Sequence, residues 1–150
     1  MLRPLRAFGL WIPRMAGPLA ILLAVSLDVP PASADVVTDW NSIWLDCIRA
    51  TGGPPTPIAR AGAMVHAAVY DAVNSIDRTH EPYLASLPAP DGASEVAAAA
   101  AAAHDVLVSL YPGRQSILDE ALARSLADVP DGPDEDAGIA LGRAAAQAIL

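Results

Sequence analysis

The segment Ala63 to Ile76, AMVHAAVYDAVNSI, sets His66, Tyr70, Asp71 and Asn74 into an otherwise apolar stretch of small residues. His66, Tyr70 and Asn74 fall four apart, a row that runs along one side of an α-helix, with Asp71 one position round from Tyr70. Buried polar groups need partners, so the row predicts an internal hydrogen-bond network in which His66 and Asn74 hold this helix against its neighbours. From Thr56 to Ile76 the only charges are Arg60 and Asp71, which marks the segment as the central, most buried helix of its fold. Ala61, Gly62, Ala63, Ala67, Ala68 and Ala72 leave room for other helices to come close.

The rest of the chain is punctuated by proline and glycine and shows no alternating strand pattern, so the expected fold is all-α, a bundle of about five helices. A first helix from about Val37 to Arg49 gathers Trp40, Ile43, Trp44, Cys47 and Ile48 into one stripe and stops at Thr51-Gly52-Gly53-Pro54-Pro55. Thr56 followed by Pro57 reads as the capped start of the second. Asp77 to Gly92 is a proline-rich loop. Ser94 is placed to cap a third helix that runs from Glu95 through seven consecutive alanines, Ala97 to Ala103, to Leu110. Tyr111-Pro112-Gly113 ends it. A fourth helix, about Arg114 to Ala127, turns Ile117, Leu118, Ala121, Leu122, Ser125 and Leu126 inward. Asp131-Gly132-Pro133 opens a fifth, with Asp134, Glu135 and Asp136 in its first turn, where the helix dipole favours negative charge. That helix is still running at Leu150, so the bundle is expected to be an incomplete part of a larger α-helical domain.

Residues 1–34 read as a secretory signal peptide: Arg3, Arg6 and Arg14, then the apolar Leu19 to Leu27, then Ala32-Ser33-Ala34 with cleavage after Ala34. The apolar run is too short for a stable membrane anchor. The expected location is therefore secreted or periplasmic, with the 35–150 region as the mature domain. That region carries six arginines against sixteen acids, a net charge of −10, which disfavours nucleic-acid binding. Lysine is absent from the whole chain.

The chemistry-bearing residues are few. Cys47, the only cysteine, excludes an intramolecular disulfide and reads as a small buried hydrophobe. His80 with Glu81 lies in the proline-rich loop, where a solvated histidine is the expectation. His104 and Asp105 are adjacent on a helix and point about 100° apart, which disfavours convergence on one ion. Ser109 or Ser116 near His104 offers no evident oxyanion hole. DGPDED, Asp131 to Asp136, lacks the spacing and closing glutamate of a calcium loop.

Asp39-Trp40-Asn41, the PPTPIAR stretch from Pro54 to Arg60 and the Ala63 to Asn74 word together resemble the N-terminal helical region of vanadium-dependent haloperoxidase-like proteins, relatives of the type-2 phosphatidic acid phosphatases. The resemblance covers Asp35 to Leu150. It implies a full-length protein that oxidises halides with peroxide on bound vanadate, or hydrolyses phosphate esters in the same oxyanion pocket. That pocket is built from K-x6-R-P, P-S-G-H and S-R-x5-H-x3-D segments, in which cations and backbone N–H groups hold the anion while a histidine binds or attacks. None of the three occurs here. In the family they lie downstream, so the resemblance implies a chain truncated before them, inactive alone, whose partner is the remaining half of the domain or another helical protein. No catalytic, cofactor-binding or metal residue is assigned in this chain. The alternative expectation is a complete small acidic helical protein that acts as a partner-binding or structural module through its second and fifth helices.

Overall fold

The computed structural model describes residues 35–150; the expected signal peptide, residues 1–34, and its expected cleavage point lie outside the described residues. Among the described residues the fold is all-α, with five helices: α1 (Val36–Thr51), α2 (Pro55–Asp77), α3 (Glu95–Leu110), α4 (Gln115–Leu126) and α5 (Pro133–Ile149), and a 3-10 turn at Pro112–Arg114 ahead of α4. No strand occurs among the described residues. No single helix among them is long and apolar enough to cross a membrane.

Each helix end has a local cause. Asp35 caps α1 by accepting from the Thr38 N–H at 2.8 Å and the Thr38 hydroxyl at 3.0 Å, and the Thr38 N–H is the main reason its carboxyl sits below the usual carboxylate range. Gly52 closes the helix at φ 64°, its N–H returning to the Ile48 carbonyl. The expected Thr56 cap is not formed. α2 starts two residues earlier, on Pro55 with Pro54 at the cap position, and no side chain caps it. With Pro55 and Pro57 both lacking an N–H, little is left at that end for a hydroxyl to satisfy. Ser94 does cap α3, accepting from the Ala97 N–H at 3.2 Å.

The central helix is α3, and not α2 as the charge pattern suggested. Ala97 to Ala103 are each at most 1 % exposed, and α3 packs against α1, α2, α4 and α5. An alanine run buried on every side needs neighbours that approach to backbone distance. Gly138 and Gly142 of α5 provide this, lying directly against α3 around Ser94 to Ala102. By contrast α2 buries Met64, Val65, Ala68, Val69 and Ala72 on one side and leaves Ala63, His66 and Tyr70 exposed on the other. Its Gly62 is covered by the six-membered ring of Trp44, which fills the space a Cβ would need. Larger side chains join the alanines in the core: Trp40, Val106, Leu107 and Leu118 are all below 2 % exposed, each aliphatic one contributing roughly 1.5–3 kcal/mol by leaving water. Trp40 also ties α1 to α4, its Nε1 donating to Ser125 Oγ at 3.1 Å.

Cys47 is buried at 2 % exposure, as its stripe on α1 required. Burial pushes its thiol above the ordinary value, and the neighbouring Arg114 guanidinium offsets only part of that. Iodoacetamide is therefore expected to leave Cys47 unmodified in the native protein and to label it fully once guanidinium unfolds the chain. Rapid labelling of native protein by mass spectrometry would contradict its burial.

Candidate functional site

The polar residues of α2 come together at its C-terminal end, and what they grip is the main chain of the 78–94 loop. Asp71, 2 % exposed, accepts three successive backbone N–H groups: Tyr83 at 2.6 Å, Leu84 at 2.9 Å and Ala85 at 2.9 Å. One turn on, Asn74 pairs with His80 as a peptide would, its Nδ2 donating to the carbonyl at 2.8 Å and its Oδ1 accepting from the N–H at 3.0 Å. Ser75 Oγ donates to the Asp71 carbonyl and accepts from the Leu87 N–H at 3.2 Å. The Tyr70 hydroxyl donates to the Glu81 carbonyl at 2.8 Å.

Arg78 completes the clasp. It stands in the left-handed region at φ 56°, a conformation that costs a non-glycine residue on the order of 1 kcal/mol or more. Two hydrogen bonds from its guanidinium offset that cost: Nε to the Ser75 carbonyl at 3.3 Å and Nη2 to the Ala89 carbonyl at 3.1 Å. The loop is thereby fixed at both ends and in the middle, and it presents Tyr83 and Leu84 outward at 72 % and 59 % exposure.

The expected His66–Tyr70–Asn74 network is thus only partly formed. Tyr70 and Asn74 act, but on the loop and not on neighbouring helices, and Asp71 and Ser75 carry as much of the work. His66 stays outside it among the described residues. It is exposed and stands edge-to-face on Trp44 with centroids 6.2 Å apart. On the outer face of α2, Ala63, His66, Ala67, Tyr70, Glu81, Pro82 and Tyr83 line an open hollow of about 540 Å³. A second, of about 290 Å³, lies between Val37 and the other side of His66 and Tyr70.

His104 is the other polar centre. Its Nδ1 lies 2.8 Å from Asp105 Oδ1 and its Nε2 2.8 Å from Asp119 Oδ1 on α4. Asp105 does reach its neighbour's ring despite the 100° offset, because the short carboxylate meets the near edge of the imidazole; the two acids take opposite edges and leave no shared point for an ion. Ser109 and Ser116 are exposed, and with both ring nitrogens engaged no serine–histidine pair forms. Among the described residues no three histidine, cysteine, aspartate or glutamate side chains converge as metal ligands. His80 is exposed, its Nδ1 2.7 Å from the Thr79 hydroxyl. Asp134, Glu135 and Asp136 occupy the first turn of α5.

A vanadate or phosphate pocket needs several cationic side chains converging on one anion. Arg60 and Arg78 line separate hollows, and the guanidinium of Arg78 is committed to carbonyls. Comparison of the chain with protein-family models, with curated proteins and with solved structures finds no match.

Proposed function

We propose that this chain is the exported, N-terminal helical scaffold of a vanadium-dependent haloperoxidase-like or acid-phosphatase-like protein, and that it performs no catalysis by itself. The outer face of α2 carries the reading: a long helix with His66 and Tyr70 exposed and an apolar-walled hollow on either side of them. Such a face suits the packing of further helices, which in the full-length protein would bring the oxyanion-binding lysine, arginines and histidine. Halide oxidation or phosphate-ester hydrolysis belongs to that assembled protein.

A second reading rests on a different observation. Tyr83 and Leu84 protrude from a loop that Asp71, Asn74 and Ser75 hold in place, which suits a module that docks on a separate partner. The discriminating experiment is to express the chain with its leader, recover the exported product, weigh it, and titrate it with orthovanadate while assaying bromination and phosphatase activity. The scaffold reading expects a product starting at Asp35, with neither vanadate binding nor turnover. It also expects the gene beyond codon 150 to encode K-x6-R-P and P-S-G-H. Stoichiometric vanadate binding or either activity would overturn it, and a stop at that codon would favour the docking module.

A further inference from the structure

We propose that His104 is a proton-operated latch between α3 and α4. Its ring stands between two carboxylates, each 2.8 Å from one nitrogen. An ionised carboxylate only accepts, so both contacts are hydrogen bonds only while the ring holds two protons. A neutral imidazole has one N–H, and its other nitrogen would set a lone pair against carboxylate oxygen at the same distance. One contact must then open.

The two contacts differ in what they join. Asp105 is the next residue on α3, so its bond crosses no interface, whereas Asp119 belongs to α4. Asp119 is also the more exposed, at 52 % against 30 %, and can turn to water when released. The neutral ring therefore keeps Asp105 and releases Asp119. From α1 the ring meets Trp40, edge-to-face at 6.2 Å, which does not titrate; the charged groups bonded to it are Asp105 from α3 and Asp119 from α4. With the histidine side chain only 12 % exposed, the state of its proton is transmitted to packing and not absorbed by solvent. Raising the pH loosens α4 while leaving the α2–α3–α5 contacts in place.

The test is a double-mutant cycle on the full chain, using His104→Gln, Asp119→Ala and the pair. Thermal unfolding is followed at about pH 5.5, above the ordinary carboxylate range, and at about pH 9, above the ordinary histidine range. At the lower pH each single substitution should lower Tm by roughly 4–8 °C and the pair should lose little more than one of them. At the higher pH the losses should become additive. Asp119 is half-exposed, so its alanine variant folds and keeps the cycle readable. The same coupling at both pH values, or none at either, would overturn the latch.

Discussion

Gly142→Ala will destabilise the domain by roughly 2–3 kcal/mol, although alanine in an ordinary helix is worth about 1 kcal/mol more than glycine. The reason is what the added methyl meets. A Cβ at Gly142 falls on the Ala98 carbonyl oxygen, 2.8 Å from the Ala102 nitrogen and 2.9 Å from the Ala101 Cβ. Two of these are backbone atoms of α3, which cannot rotate aside, so α5 must move away as a body and reopen its seam with α3. Chemical denaturation of the variant beside Gly113→Ala measures it. At Gly113 a new methyl meets nothing within 4 Å, and stability should stay within about 0.5 kcal/mol of the parent. Equal behaviour of the two variants would mean that α5 does not lie against α3 as described.

Asp71→Ala should cost roughly 2–4 kcal/mol, since three N–H groups lose a charged acceptor at once and the loop loses its central anchor. The sharper readout is local. Hydrogen exchange at Tyr83, Leu84 and Ala85 should rise toward the rate of an unstructured peptide, while α3 amides slow exchange as before. Asp71→Asn, which keeps the shape but only one acceptor oxygen, should fall between. His66→Leu should change stability by less than about 0.5 kcal/mol, because that side chain is exposed and outside the clasp. If His66→Leu proved as damaging as Asp71→Ala, the assignment of the clasp to Asp71 would be wrong.

Much of the fold is legible in the sequence because its signals are local. Ser94 before Glu95, Gly52 after Thr51 and Pro133 ahead of three acids each act within a few residues of themselves, and each marks a helix end in the structure. The choice of central helix was not local. Counting charges favoured α2, but a helix can carry few charges and still show one face to solvent, and an alanine run does not reveal how many neighbours surround it. The clasp was half legible for a similar reason. Periodicity put Tyr70 and Asn74 on one face, yet their partners are carbonyls and N–H groups of Glu81 and His80, and main-chain groups leave no mark in residue identity. The His104–Asp119 bond joins positions fifteen apart on different helices and depends on the turn at Pro112–Arg114, which no spacing rule encodes.

The alanine run of α3 has a consequence for how this sequence is free to vary. A residue with no χ angles has no alternative rotamer with which to absorb a misfit, and no side-chain entropy to lose on burial. Each of the seven positions is bounded from both directions: glycine weakens the helix by about 1 kcal/mol, and anything larger meets a neighbour already in contact. The stretch that looks compositionally simplest, and that a scan for low complexity would set aside, is on these grounds the least substitutable among the described residues. Tolerance to change should instead lie where the composition is most varied, on the exposed positions of α1 and α4, so that sequence complexity and structural constraint run in opposite directions along this polypeptide.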